Sequence, residues 1–183
     1  MSNTESLDIV YDIAQEKPLE ERHILAVLVD NEFGVLNRVV GLFSSRGYNI
    51  ESLTVAEVDV KKHLSRITIV TRGSARKVAH IIALLERMVP VHKVHDLTTE
   101  SPFVERELAL VKVVGKGEER VEALRIADIF RAKPVDTTIE SFVFEITGTS
   151  EKVNTFIDLM RPLGLTEVCR TGVASVARGK KGI

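Results

Sequence analysis

The segment Asp30-Asn31-Glu32-Phe33-Gly34 runs from an apolar stretch, Ile24 to Val29, into a helical pattern. Free backbone N–H groups and the positive end of the helix dipole favour an anion such as a carboxylate at such a junction. Gly34 allows the backbone to approach a ligand closely. Asn31 offers an amide donor and a carbonyl acceptor. Together these suit a zwitterionic amino acid, whose carboxylate needs donors and whose ammonium needs acceptors. An ordinary strand-to-helix turn with an Asx cap fits the same residues. Gly47-Tyr48-Asn49-Ile50 is a second candidate, where Gly47 closes the helix and Asn49 opens a strand. An Asn in a plain turn explains that segment equally well.

Other reactive side chains form no constellation. His92 and His95 are spaced H-x-x-H, which on a strand points them to opposite faces and argues against metal binding. His63 falls in a hairpin turn and His80 on an exposed helical face, neither with an identifiable acid–base partner. Cys169 lies on a mostly apolar terminal strand and reads as a small packed residue. Gly115-Lys116-Gly117 lacks the spacing of a phosphate loop, and Arg178-Gly179-Lys180-Lys181 reads as a solvated end. With no carboxylate pair, triad or metal cluster, the residues point to a regulatory binding module without catalysis.

The bulk properties agree. The chain has 183 residues, with 25 Lys and Arg against 26 Asp and Glu, a net charge of −1. That charge lacks the basic footprint of a nucleic-acid binder, and the absence of Trp leaves little for base stacking. One cysteine allows no internal disulfide, which suits a reducing compartment. No segment has the length of a membrane span. The first twenty residues carry Glu5, Asp8, Asp12, Glu16 and Glu20 against Lys17, unlike a secretory signal or an Arg-rich transit peptide. A cytoplasmic protein with an acidic N-terminal extension is expected.

These residues need elements to position them. Ile24 to Val29 is apolar on both alternating faces, as a strand covered on both sides would be. Leu36, Val39, Val40 and Phe43 mark a helix closed by Arg46-Gly47. Strands follow at Ile50–Val58 and Leu64–Thr71, then a helix capped by Ser74 and stopped by Pro90, then a strand from Val91 to Leu97. That β-α-β-β-α-β order repeats: a strand at Glu107–Val114, a helix at Glu118–Ala132, strands at Val135–Ile139 and Phe142–Thr147, a helix at Glu151–Met160, and one strand from Leu165 to Val176. Gly73-Ser74-Ala75-Arg76-Lys77-Val78 aligns with Gly148-Thr149-Ser150-Glu151-Lys152-Val153. The fold class is therefore α+β, two tandem ferredoxin-like βαββαβ units joined near Thr98–Val104. The first unit is the longer, with the excess expected around its glycine loop and hairpin. A short helix at Leu7–Ala14 is also possible.

Asn31-x-x-Gly34-x-Leu36-x-Arg38, followed by Arg46-Gly47-Tyr48-Asn49-Ile50-Glu51-Ser52-Leu53-Thr54-Val55, resembles the ACT domain of the small regulatory subunit of acetohydroxyacid synthase (acetolactate synthase). Leu64 to Ile69, Val104 to Leu108, Ile129-Phe130-Arg131 and Gly148-Thr149 are similar to that family as well, so the resemblance covers roughly residues 22–183. After the acidic extension at 1–22 it implies an effector-binding ACT domain at 23–98 and a second ferredoxin-like domain at 99–183. It further implies a chain without catalysis of its own that activates a catalytic large subunit, on which thiamine diphosphate, magnesium and FAD reside. Feedback inhibition by valine or another branched-chain amino acid would come through this chain. The resemblance places the effector between two ACT domains of a homodimer. Asn31 and the backbone of Gly34, Val35 and Leu36 form one side, and Asn49 and Ile50 of the neighbouring subunit the other. Arg38 is then structural or interface-forming, and the second domain supports dimerisation or contact with the large subunit. Two features depart from the family: Phe33, where many members carry a small residue or Pro, and the acidic extension.

Other uses of the fold fit less well. An acylphosphatase-like hydrolase needs a basic phosphate loop, whereas this loop carries Asp30 and Glu32. An RNA-recognition sheet needs aromatics on its strands. A transcription regulator needs a helix-turn-helix segment, which the lead-in cannot supply. A stand-alone amino-acid-sensing ACT protein acting on a different enzyme is the remaining alternative.

Overall fold

The computed structural model describes residues 20–180 and 182–183. The possible helix at Leu7–Ala14 and most of the acidic extension lie outside the described residues. The first unit consists of β1 (Glu21–Asp30), α1 (Val35–Ser45), β2 (Ser52–Asp59), β3 (Leu64–Gly73), α2 (Ala75–Glu86) and β4 (Val91–Asp96). A one-turn helix, α3 (Leu97–Glu100), leads to the second unit. There follow β5 (Phe103–Val114), α4 (Glu118–Phe130), β6 (Lys133–Thr137), β7 (Ser141–Gly148), α5 (Ser150–Met160), β8 (Leu165–Arg170) and β9 (Ala174–Ala177).

Both sheets are antiparallel and share one strand order, β2-β3-β1-β4 in the first and β6-β7-β5-β8 in the second. This is the tandem ferredoxin-like arrangement expected from the repeated β-α-β-β-α-β pattern. The helices of each unit pack on one sheet face. Val35, Val39 and Phe43 of α1 and Val78, Ile81 and Leu85 of α2 bury against Leu25, Val27 and Val29 of β1. Those spacings put one side of each helix on the sheet. Ser74 caps α2 by accepting a bond from the Lys77 N–H. In the second unit Phe142, Phe144 and Ile146 meet Val153, Phe156 and Met160, while Ala123 and Ala127 let α4 lie close.

The double-sided pattern of β1 has a structural cause. Its other face buries Ile24 and Ala26 with Val70, and the cover is Leu97 from α3 and Val173 from the second unit, flanked by Phe103 and Ala177. The two units thus share a small third core.

Three details differ from the sequence reading. The terminal stretch Leu165–Val176 is two strands: β8 pairs with the later part of β5, and β9 with its beginning, Phe103 to Arg106. Residues 171–173 break it because they cross over β2. Gly172 has φ 81°, and a Cβ there would lie 2.7 Å from Ser52 Oγ. The crossing is fixed by bonds from Val173 N–H to Ser52 Oγ (3.0 Å) and from Thr54 Oγ1 to the Val173 carbonyl (3.0 Å). Second, β5 begins at Phe103, inside the expected linker, because β9 pairs with it. Third, most of the first unit's extra length lies between α1 and β2 and in β2 itself, not in the glycine loop.

A Gly172→Ala substitution forces a left-handed backbone onto alanine, at about 1–2 kcal/mol, and drives Cβ against Ser52. Thermal unfolding followed by circular dichroism is expected to show a melting temperature lower by roughly 2–8 °C. An unchanged melting temperature would mean that the crossing contributes nothing to stability.

Candidate functional site

The loop after β1 is tied down on both sides. Asp30 N–H donates to the Pro90 carbonyl (2.9 Å), and Asn31 N–H to the His63 carbonyl (2.6 Å). His63 itself adopts φ 52° at the tip of the β2–β3 hairpin. Gly34, at φ 82° and ψ −5°, turns the chain into α1, and no side chain caps that helix. The Asx cap that would have made this an ordinary turn is therefore not formed. Among the described residues the Asn31 side chain has no hydrogen-bond partner and is exposed, as are Glu32, Phe33, Gly34 and Leu36. Val35 differs: its side chain is buried in the first core, so only its backbone can meet a ligand. Arg38 reaches back to Glu32 (3.1 Å), a contact that shapes the loop. The result is an open helix N-terminus beside an unengaged amide, suited to a carboxylate and an ammonium.

Asn49 and Ile50 are held by different means. Gly47 at φ 68° follows α1, and Tyr48 N–H donates to the Phe43 carbonyl (2.9 Å). The Asn49 carbonyl accepts from Thr71 Oγ1 (2.6 Å), which leaves its exposed side chain free of that bond. Ile50 is half-buried against the first core.

The two segments do not meet within one chain. Asn49 lies beside Thr71 and Asn31 beside His63, at opposite ends of β3. Eight residues of strand separate them by roughly 26 Å. A site using both needs two chains. Elsewhere among the described residues, an open cleft of about 760 Å³ lies between the two units. Arg22 bridges there to Glu105 (2.9 Å), and Arg170 makes paired bonds to the buried Glu107 (2.6 Å each). That bonding holds the Arg170 guanidinium above its ordinary value.

The remaining candidates have local roles. His92 pairs with Asp30 (2.6 Å) and His95 with Glu100, two separate contacts. Among the described residues no group of three or more His, Cys, Asp or Glu could hold a metal. His80 is exposed. Cys169 is exposed, not packed as its strand suggested, because β8 is an edge strand and places Cys169 away from the core. Sequence reasoning missed Thr71 and the His63 carbonyl as anchors of the two segments. It also missed the buried His23–Asp96 pair (2.7 Å), which joins β1 to the N-cap of α3. Only the polar residues in otherwise apolar strands signalled them.

Comparison with known proteins bears on what this arrangement is for. A family model described as the AHAS small subunit-like ACT domain matches residues 25–93, and one described as the small subunit of acetolactate synthase matches residues 106–179. A probable acetolactate synthase small subunit from Archaeoglobus fulgidus is 46% identical over 160 residues, 87% of this chain and 99% of that one. The chain belongs to the acetolactate synthase small-subunit family. The isozyme 3 small subunit from Escherichia coli is 44% identical over 161 residues, covering 87% of this chain and 98% of its own. The crystal structure of the Thermotoga maritima acetolactate synthase small subunit superposes with a TM-score of 0.78 at 36% identity, covering 88% of this chain and 99% of that one. Membership of a small-subunit family supports a regulatory role for the chain. Among the described residues no helix is long and apolar enough to cross a membrane.

Among the described residues the exposed Asn31 side chain makes no hydrogen bond, whereas Thr71 holds the Asn49 carbonyl, so their substitutions should separate. Asn31→Ala is expected to leave unfolding free energy within about 0.5 kcal/mol of wild type. Thr71→Val, which removes a buried hydrogen bond, should lower it by about 1 kcal/mol. Urea titration of both variants checks this.

Proposed function

We propose that this chain activates the catalytic large subunit and makes it sensitive to a branched-chain amino acid, with valine the expected effector. The observation that carries the reading is the uncapped, exposed start of α1 beside an Asn31 side chain without a partner. The amides of Gly34, Val35 and Leu36 would receive the effector's carboxylate and the Asn31 carbonyl its ammonium. The exposed Leu36 side chain offers apolar contact to a branched side chain.

The second half of this site would come from another copy. β2 is an open edge of its sheet and runs alongside β3. If two copies pair antiparallel through β2 about Val55 and Ala56, Asn49 of one copy comes opposite the hairpin near Lys62 of the other. The His63–Asn31 bond places the glycine loop beside that hairpin. A strand dyad therefore joins the two segments that one chain keeps apart. Its symmetry creates two equivalent sites.

Effector binding would favour one arrangement of the dimer and shift the population toward it, with large-subunit activation weakened in that state. The second unit lacks an Asn-x-x-Gly loop and would support dimerisation or contact the large subunit. Thiamine diphosphate, magnesium and FAD would reside on the large subunit, leaving this chain non-catalytic, and the holoenzyme would be cytoplasmic.

Calorimetric titration of valine into the purified chain tests the reading. Saturable binding is expected, with Asn31→Ala weakening it at least tenfold, about 1.4 kcal/mol. A Val55→Pro change in the β2 edge should abolish binding together with the dimer seen by analytical ultracentrifugation. If valine, leucine and isoleucine all fail to bind the chain, alone and with its large subunit, the effector site is refuted.

A further inference from the structure

On the sheet face away from α1 and α2, β2 and β3 meet β9 and the start of β5 along a groove of about 500 Å³. Val58, Val104 and Val176 line it, each between 41% and 55% exposed. Two guanidinium groups, Arg66 and Arg106, share the lining. Among the described residues neither has a carboxylate partner. Arg66 donates to the Ser175 carbonyl (2.6 Å) and Arg106 to the Glu105 carbonyl (2.7 Å). Arg66 is half-buried, and desolvation lowers its pKa from the ordinary arginine value. An apolar groove holding cations without counter-charge is matched by a ligand both anionic and apolar.

The chain carries a segment of that chemistry. Residues 5–16 contain Glu5, Asp8, Asp12 and Glu16 interleaved with Leu7, Ile9, Val10, Tyr11 and Ile13, and no Lys or Arg. The Archaeoglobus fulgidus relative is matched over 99% of its length by 160 residues of this chain, so a fold of this family is complete at about that length. The segment joins the fold at Glu20, next to the Glu21–Gly73 end of the first sheet. From there to the level of Arg66 is about seven strand residues, and the groove lies roughly 25 Å away. Eight extended residues, Asp12 to Glu20, span about 26–29 Å.

We propose that residues 5–12 bind in this groove of their own chain, the carboxylates of Glu5, Asp8 and Asp12 facing Arg66 and Arg106 and the apolar side chains between them packing on the three valines. The proposal does not depend on the effector reading. It assigns the acidic extension to the seam where the two units meet.

The chain has no Trp, so Tyr11→Trp gives the full-length protein a single reporter. Acrylamide quenching of that reporter is expected to be several-fold weaker than in a synthetic peptide of residues 1–19 bearing the same substitution. Combining it with Arg66→Glu and Arg106→Glu should restore peptide-like quenching. If that pair lowers the melting temperature, the neutral pair Arg66→Gln and Arg106→Gln is used and should give a partial restoration. Peptide-like quenching without the Arg changes overturns the proposal, as does protection that survives both pairs of changes. Protection that appears only at high protein concentration assigns the groove to a second copy. Protection that appears only when the large subunit is added assigns it to that partner. Either result also overturns the proposal.

Discussion

Ile24 and Ala26 are fully buried on the face of β1 that looks away from the first unit's helices. A four-stranded sheet with helices on one side usually leaves its other side to water. Here the second face is apolar at its centre, and nothing within the first unit's own helices can reach it. The side chains that close it, Leu97 and Val173 with Phe103 alongside, come from the connection and from the second unit. Burying that strip fixes much of the remainder. The chain must fold back after β4, residues 171–173 must cross β2 closely enough to require Gly172, and β9 must pair with the beginning of β5.

This constraint explains which parts of the fold were legible in the sequence. The helices were readable because Val35, Val39 and Phe43, or Val78, Ile81 and Leu85, are separated by whole turns. β1 was readable as a two-sided strand because its apolar run is uninterrupted. The break between β8 and β9 was not readable, because Gly172 is explained only by Ser52, far away in sequence. Cys169 misled for a related reason: its neighbours are apolar enough for a core strand, but β8 stands at an edge. The glycine loop and the Asn49 segment were found from residue type. What holds them could not be, since the His63 carbonyl is a backbone group with no signature, and Thr71 acts through a partner two elements away.

Separating the two proposed effector segments by the length of a strand would give the first unit a regulatory character. A pocket completed inside one chain would report only on its ligand. A pocket split across two copies reports on their relative placement as well, because a ligand binding both halves must favour the geometry that aligns them. The same β2 that would present this edge is gripped on its open face by Ser52 and Thr54 bonds to Val173, and its neighbour β3 by the Arg66 bond to Ser175. A change in how β2 sits is therefore felt by the second unit without any flexible linker between them.

The sheet edges of the two units are not equivalent. β6 carries Pro134, which has no N–H to offer, and an irregular register between Pro134 and Asp136, so its outer side is a poor template for another strand. β2 pairs regularly from Ser52 to Glu57 and has no proline. Of these two edges β2 is the better template for self-recognition. Until it is covered, that edge is also the place where an excess of unassembled chains would stick to one another. Balanced production of the partners is then a matter of solubility as much as of regulation.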